Sequence, residues 1–190
     1  MEPRRWISRS QISPKWLFVL PVFLLGAAFE RGSSIAQPPF RVGAAEVHYS
    51  PGENLEMIDV ALIGEAAKQI DMAAYVLTDS AVIEALREAA VRGVTVRVWR
   101  DANMAAKVGD FDVEAQLGGR PQGLELRSNA PGGELMHLKG YCVDHRLLRT
   151  GSANFSRSGE TRQDNDLVAL RGASVCARFD AKFDRAWVRI

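Results

Sequence analysis

The residues from His137 to Asp166 read HLKGYCVDHRLLRTGSANFSRSGETRQDND, and this stretch decides how the surrounding chain folds. Residues 140–143 form a short apolar run of the kind found in β-strands, and 147–150 form a second one. Asp144-His145-Arg146 between them is a turn sequence. The stretch therefore predicts a β-hairpin, in which the residues just before the first strand return beside those just after the second.

Four polar side chains lie at the open end of this predicted hairpin. His137 and Lys139 have the same parity on the strand and share a face, and the returning strand brings Ser152 and Asn154 to the same place. Lysine offers a compact positive charge, and the hydroxyl and amide offer neutral hydrogen bonds, which together suit phosphate oxygens. Gly151 lets the backbone approach a bound anion closely. Histidine can act as a nucleophile or a general acid near neutral pH, so the group suits attack on a phosphodiester.

The spacing His137-x-Lys139-x4-Asp144-x6-Gly151-Ser152-x-Asn154 resembles the full H-K-D signature of the phospholipase D superfamily. Six positions match without a gap, which makes a chance match or a purely structural hairpin the weaker alternative. From about Ala45 to the C-terminus the chain is similar to the single-motif branch, which includes bacterial periplasmic endonucleases and cardiolipin hydrolase-like proteins. The resemblance implies a phospholipase D-like catalytic domain over residues 45–190. It implies catalytic roles for His137, Lys139 and Asp144, and binding of the substrate phosphate by Lys139, Ser152 and Asn154.

The chain contains one such motif, whereas in the resembled superfamily two motifs meet face to face and each contributes a histidine. One histidine attacks phosphorus to give a phosphohistidine, and the other protonates the leaving oxygen and later activates water. His48, on a predicted strand, and His145, in the turn, are better interpreted as structural and solvated residues. We therefore expect a homodimer in which His137 of both copies faces one phosphate. No His, Asp, Glu or Cys cluster in the sequence has metal-ligand spacing, so we expect no cofactor and no metal requirement.

Each catalytic imidazole also needs a partner that orients it, usually a carboxylate. The resembled family commonly supplies a glutamate a short way beyond the Gly-Ser-x-Asn element, but residues 163–166 here read Gln-Asp-Asn-Asp. Asn165 stands at the register of that glutamate, and Asp166 lies one residue further along, so either is a candidate to orient His137. Asp144 is interpreted as a carboxylate of the hairpin and its network, not as the attacking group.

Residues 1–36 have the pattern of an export signal. An apolar run at Leu17–Phe29 precedes Ser34-Ile35-Ala36, which is a small-x-small cleavage site. The basic start of the signal contains Arg4, Arg5, Arg9 and Lys15. The apolar run is short for a membrane span, which favours a cleaved signal over a retained N-terminal anchor. We therefore expect export to the periplasm or the exterior, with residues 37–44 as a linker.

The charge of the remaining chain is nearly balanced. The whole chain has 24 basic and 23 acidic residues, of which five and two lie in residues 1–36, so 19 and 21 remain and the net charge is −2. Such a domain has no global basic field, so any polyanion must be bound by a local patch. The remaining length suffices for one domain with one core.

The order of predicted elements indicates an α/β domain. The first three strands, at 46–49, 70–77 and 94–99, alternate with two helices, which predicts parallel pairing through right-handed crossovers. A short helix is expected within 101–119. Further expected elements are strands at 124–127 and 166–170 and a closing helix at 173–188 whose apolar stripe packs on the core. The expected fold is a mixed, largely parallel β-sheet with helices on both faces.

Two features stay open at the level of sequence. Cys142 and Cys176 can form a disulfide after export or remain two buried thiols. Beyond Asn154, the residues Arg157, Glu160 and Arg162 are best interpreted as a solvated charged loop, with the two arginines as alternative ligands for flanking phosphates or lipid headgroups.

The motif indicates the reaction class, and the substrate has three interpretations. An open groove across a dimer suits the backbone of DNA or RNA and favours a non-specific endonuclease. Phospholipid or cardiolipin hydrolysis is the alternative, and it would require an exposed apolar patch near the site. A nucleic-acid-binding dimer without catalysis is the third interpretation, which an intact His137 and Lys139 argue against.

Overall fold

A computed structural model of the chain describes residues 43–107, 113–119 and 121–190. The predicted signal at 1–36 and residues 37–42 of the predicted linker lie outside these described ranges. All described residues belong to one structural unit, Pro38–Ile190. None of the helices in the described ranges is long and apolar enough to cross a membrane.

Seven strands form one sheet in the spatial order β1-β7-β6-β5-β2-β3-β4. In chain order they are β1 (Ala44–Ser50), β2 (Gln69–Ala74), β3 (Thr95–Arg100), β4 (Leu124–Ser128), β5 (Lys139–Val143), β6 (Leu147–Gly151) and β7 (Asn165–Arg171). The helices within the described ranges are α1 (Leu55–Gly64), α2 (Ser80–Val91), α3 (Ala102–Lys107), α4 (Val113–Gln116), α5 (Arg157–Thr161) and α6 (Ala177–Trp187). The predicted hairpin is confirmed as β5 and β6, and the region of the predicted short helix contains α3 and α4.

The sheet is mixed, as expected, but parallel pairing does not predominate. Only the β2–β3 and β3–β4 pairings are parallel, and the other four pairings of the described sheet are antiparallel. The expectation that β1 pairs with β2 is wrong. Strand β5 lies beside β2, and β6 and β7 follow it outward in the sheet, so β1 pairs with β7 at the far edge.

Helices cover both faces of the sheet, as expected. The helices α1 and α2 begin where Asn54 and Asp79 accept backbone N–H groups of the first turn, and both helices pack their apolar faces on the main core. On the other face, α6 buries Phe183 and Trp187, which confirms the predicted apolar stripe.

A disulfide ties α6 to the sheet. Cys142 of β5 is bonded to Cys176, the residue immediately before α6. Of the two possibilities that the sequence left open, the structure therefore has the disulfide.

The strand ends that carry the motif meet at one edge of the sheet. Ala74 at the end of β2 pairs with Lys139 at the start of β5, and Gly151 at the end of β6 pairs with Leu167 near the start of β7. Residues that follow β2 and β6 and residues that precede β5 are thereby brought to the same edge.

Candidate active site

An aromatic ring holds the histidine and the lysine of the motif side by side. His137 is exposed, whereas the Lys139 side chain lies against the sheet edge and Lys139 is 9% exposed. The Tyr75 ring centroid lies 4.4 Å from that of the His137 imidazole and 4.6 Å from Lys139 Nζ. The Tyr75 backbone N–H donates to the Leu138 carbonyl at 2.9 Å, which fixes the ring next to both groups. Tyr75 is therefore part of the candidate site.

Sequence reasoning missed Tyr75. The available signal was its place at the carboxyl end of an apolar strand, where ligands of α/β proteins commonly bind. Its amphipathic ring was a second signal, because one face can pack on the protein while the hydroxyl stays in water.

Lys139 keeps hydrogen-bond donors for an anion. Its ammonium has three donors, and one is directed to the His137 carbonyl at 3.0 Å. No described carboxylate forms an ion pair with Lys139. Burial lowers the pKa of Lys139 below the ordinary value of 10.5, because the ammonium has lost part of its hydration. A phosphate placed here would supply the missing negative charge.

The returning strand fixes Ser152 through Asp166 and Asn165. The Ser152 backbone N–H donates to the Asp166 carbonyl at 3.1 Å, and the Asp166 N–H donates back to Ser152 Oγ at 2.9 Å. The Ser152 hydroxyl lies 3.1 Å from Asn165 Oδ1, to which it donates. Gly151 before it has φ +149°, and a Cβ there would overlap the Asp166 carbonyl oxygen. The close approach of β6 and β7 thus requires glycine at position 151, independently of the anion binding that the sequence predicts.

Neither predicted orienter contacts His137 within the described ranges. Asn165 uses its amide oxygen for Ser152 and donates from Nδ2 to the Gly159 carbonyl at 2.8 Å. Asp166 Oδ1 accepts the Ser152 backbone N–H at 3.2 Å. In this chain the two residues position the loop that carries Ser152, and an orienting role for either of them stays a prediction.

Asn154 completes the predicted set with an amide that the fold leaves unsatisfied. Its Oδ1 is buried and has no hydrogen-bond partner among the described residues. Buried polar groups are nearly always paired, so an exception next to a suspected site is a candidate ligand contact.

A buried ion pair supports the motif from behind. Arg149 of β6 is fully buried, and its Nε and Nη2 donate to the two carboxylate oxygens of Asp59 at 2.9 and 2.7 Å. Arg149 Nη1 lies 3.2 Å from the Lys139 carbonyl and 3.3 Å from the Ala153 carbonyl, to both of which it donates. The hydroxyl of Tyr141 donates to Asp59 at 2.8 Å. Arg149 therefore ties the residue that begins β5 to the loop that carries Asn154.

The interpretation of Glu160 as part of a solvated loop is wrong. Arg157 and Arg162 are exposed, as expected, but Glu160 of α5 is fully buried and its Oε1 lies 4.0 Å from Arg149 Nη2. Burial, with the nearby charge of Asp59, raises the pKa of Glu160 to about 10. The carboxyl is therefore neutral at neutral pH, and Asp59 alone supplies the counter-charge of Arg149.

Asp144 lies at the opposite end of β5 from His137 and Lys139. It accepts the backbone N–H groups of Ala67, Lys68 and Gln69 at 3.0, 2.8 and 2.9 Å. Burial alone would raise its pKa, but these three donors hold the pKa below the ordinary value. The strand between Lys139 and Asp144 is about 17 Å long at 3.4 Å per residue. The geometry thus favours the hairpin role for Asp144 over the catalytic role that the resemblance implied.

Asp101 is a second residue that sequence reasoning missed. Its buried carboxylate accepts the backbone N–H of Met136 at 3.0 Å and that of Met104 at 2.9 Å. The first contact anchors the segment that presents His137, and the second anchors α3. The contact with Met136 joins residues that are 35 apart in the chain, so no local pattern indicates it.

The other two histidines already have carboxylate partners. His48 Nδ1 lies 2.7 Å from Glu53, and His145 Nδ1 lies 2.8 Å from Asp180. The described ranges contain one group with metal-ligand proximity, which includes His145, Asp180 and Cys142. The sulfur of Cys142 is in the disulfide, so this group lacks a third ligand.

Two open cavities border the motif. The larger, of about 390 Å³, adjoins His137 and is lined further by Trp99, Asn129, Glu134, Leu135, Met136, Leu138 and Lys182. A second, of about 290 Å³, adjoins Ser152 and is lined further by Tyr49, Ser50, Asp164, Asn165 and Asp166. Leu135 and Leu138 on either side of His137 are 56% and 39% exposed.

Comparison with known proteins identifies the fold and its family. The sequence pattern of the family described as "Cardiolipin synthase, PLD-like domain" matches residues 60–187. The chain belongs to the phospholipase D superfamily. The family that the H-K-D spacing predicts is thereby confirmed.

Two relatives of the phospholipase D-like domain have different names. The domain is 28% identical over 126 residues to the mitochondrial cardiolipin hydrolase of Chlamydomonas reinhardtii, which covers 66% of this chain and 54% of that protein. It is 29% identical over 132 residues to a phospholipase D of Rickettsia prowazekii (strain Madrid E), which covers 69% of this chain and 62% of that protein. The chain thus spans only part of the length of both relatives.

A solved structure shows the same fold. Nuc from Salmonella typhimurium, a phospholipase D family member, superimposes with a TM-score of 0.63 at 27% identity. The match covers 76% of this chain and 93% of Nuc.

Proposed function

We propose that this phospholipase D-like domain hydrolyses phosphodiester bonds in DNA or RNA, without base specificity and without a metal requirement. The observation that carries the proposal is the placement of His137, which is exposed beside Lys139 on an open edge of the sheet. An extended polyanion can lie across such an edge, whereas a site for one small headgroup is usually a deep pocket.

The proposed reaction needs two imidazoles and one water. One His137 attacks phosphorus, so a P–N bond forms and the P–O bond to the leaving group breaks, while His137 of the partner subunit gives its proton to the leaving oxygen. The same partner imidazole then takes a proton from water, whose oxygen attacks phosphorus and breaks the P–N bond. Lys139 and Asn154 stabilise the charge on the phosphate oxygens in both steps. A twofold dimer supplies the second imidazole, because His145 lies in the turn at the other end of β5 and His48 lies on β1, three strands away from β5 in the sheet.

Phospholipid hydrolysis is the second candidate, and one observation favours it. Leu135 and Leu138 flank His137 and are exposed, which is the apolar patch that a lipid substrate would require. The names of the cardiolipin hydrolase and the phospholipase D relatives agree with this alternative.

The test compares substrates in the presence of EDTA. The full chain is incubated with labelled DNA, with labelled RNA and with vesicles that contain cardiolipin, beside a His137→Ala variant. We expect wild-type protein to cut both nucleic acids and the variant to bind them without cutting. Strict dependence on an added divalent ion would refute the metal-free mechanism, and cleavage of lipid alone would establish the second candidate.

A separate experiment tests the shared site. The specific activity should fall on dilution through the dissociation constant of the dimer, because each half of the site lacks an acid. Full activity of a monomer, shown by sedimentation at the assay concentration, would contradict the dimer.

A further inference from the structure

One helix of the domain presents a row of positive charge to solvent. Arg178, Lys182, Arg185 and Arg189 are all exposed and follow one another at intervals of four, three and four residues. This spacing places them on one face of α6 and its last turn. We call these four residues the basic face.

The acidic residues of α6 do not neutralise Lys182, Arg185 or Arg189. Asp180 is bonded to His145 at 2.8 Å, and Asp184 is bonded to Arg97 at 2.9 Å. Within the described ranges, Lys182, Arg185 and Arg189 form no ion pair with a carboxylate. The face is therefore a local patch of the kind that a domain with a net charge of −2 needs if it is to hold a polyanion.

The basic face is continuous with the candidate active site. Lys182 lines the 390 Å³ cavity together with His137. The twelve residues from Arg178 to Arg189 span about 16 Å, since eleven steps of 1.5 Å separate the first from the last. That length corresponds to about five phosphates of one strand at 3.4 Å per phosphate.

The composition of α6 favours nucleic acid over a membrane as the partner. A helix that lies on a bilayer buries its apolar face in the lipid. The apolar face of α6 is already used within the protein, where Phe183 and Trp187 are buried against Trp99 and the sheet. What α6 offers to solvent is mainly charge, which suits a hydrated phosphate backbone.

We infer that the basic face of α6 is the track along which a nucleic-acid strand is held as it reaches His137. This inference rests on the proposed nuclease activity, since it names the surface that binds the same substrate. The track contacts phosphates alone, so it contributes affinity and a salt dependence but no base preference.

The experiment measures binding separately from cleavage. Lys182→Glu/Arg185→Glu is made in the full-length His137→Ala protein, and its Kd for a labelled single-stranded 30-mer is measured by fluorescence anisotropy at several salt concentrations. The matched control, Lys68→Glu/Arg92→Glu, makes the same change in net charge at two exposed residues near the opposite edge of the sheet. Thermal melting verifies that both variants are folded.

We expect the α6 variant to raise Kd by about tenfold to a hundredfold at 0.15 M salt, and to lower the slope of log K against log salt by about 0.7 for each lost contact. The control should shift Kd much less. With His137 intact, the α6 variant should raise KM for DNA more than it lowers kcat.

Three outcomes would overturn the inference or its basis. Equal effects of the α6 variant and the control on Kd and salt slope would contradict the inferred track, but they would not contradict the proposed nuclease activity. A loss of binding to anionic vesicles with no loss of DNA binding would assign the basic face to a membrane. Failure of the wild-type protein to cut any nucleic acid would refute the proposed function itself, whatever the binding data show.

Discussion

The two ends of strand β5 carry residues of the same sequence motif and have opposite properties. At the start of the strand, Lys139 has no described carboxylate partner and burial lowers its pKa, while His137 is exposed. At the other end, three backbone N–H groups saturate Asp144 and hold its pKa low. We call the start of the strand the incomplete end, because a ligand would have to supply the charge that pairs with Lys139. We call the other end the complete end, because the Asp144 carboxylate already has its hydrogen-bond partners in the folded chain. The spacing of a motif therefore does not show which of its members act on substrate.

The largest expected effect tests the incomplete end. Lys139→Met should lower kcat/KM for a phosphodiester by about two to three orders of magnitude, because it removes a charged donor to the phosphate oxygens. The free energy of unfolding should not fall, since the wild-type fold holds an ammonium that is partly stripped of water. Urea unfolding measured beside the kinetics checks both statements. A loss of stability that parallels the loss of activity would mean that Lys139 is a structural residue like Asp144.

The buried ion pair of Arg149 and Asp59 allows a second test of the comparison, because it supports the start of β5. Arg149→Met should lower the free energy of unfolding by about 3–5 kcal/mol, because it leaves Asp59 buried without its partner. In the double variant Asp59→Leu/Arg149→Met the lone charge is gone, so much of that stability should return. Activity should stay low, because the carbonyls of Lys139 and Ala153 have lost their common donor.

Urea unfolding and kcat/KM of both variants provide the measurement. If the double variant regained activity in step with stability, the pair would contribute to folding alone and would not position Lys139 and Asn154.

A smaller effect is expected at the complete end of β5. Asp144→Ala should lower the free energy of unfolding by about 1–3 kcal/mol, since three backbone donors lose a charged acceptor. The kcat/KM of the folded fraction should stay at the wild-type value. Asp144→Asn, which keeps one acceptor oxygen, is the matched control and should lose less stability. A catalytic defect in a variant that is fully folded would restore the catalytic role that the resemblance implied.

Local patterns were sufficient to predict the hairpin and the cluster at its open end. The apolar runs at 140–143 and 147–150 became β5 and β6, and the predicted apolar stripe of α6 was confirmed. The position of β1 was predicted wrongly, because strand order depends on which distant strands pair and alternation with helices does not specify that. The turn forms without glycine: Asp144 and His145 adopt φ values of +50° and +57°, a region that aspartate and histidine enter more often than most residues.

The support behind the site could not be predicted for the same reason. Arg149 and Asp59 are 90 residues apart, and nothing near either of them indicates the other. Glu160 lies between charged and small residues in the sequence, so its local pattern indicates a solvated loop. Its burial follows only from the packing of α5 against the pair.

The smallest predicted effect concerns this buried carboxyl and is visible only as a dependence on pH. The folded protein holds the pKa of Glu160 at about 10, whereas an unfolded chain has the ordinary value of 4.5. Between these values the folded state binds more protons than the unfolded state, so the contribution of Glu160 to stability falls as pH rises. Glutamine does not titrate. The stability of Glu160→Gln relative to wild type should therefore increase with pH, by about 1.4 kcal/mol between pH 6 and pH 7, which is the limit for one titrating group.

Urea unfolding of the two proteins at pH 5, 6, 7 and 8 gives this difference directly, and below pH 4.5 it should be constant. The absolute stability of Glu160→Gln is not the decisive quantity, because the amide also changes local packing by a fixed amount that cancels in the slope. A difference that stays flat from pH 5 to pH 8 would mean that Glu160 is already ionised in the fold. Arg149 would then be shared between two carboxylates, and Asp59 alone would not hold it in place behind Lys139.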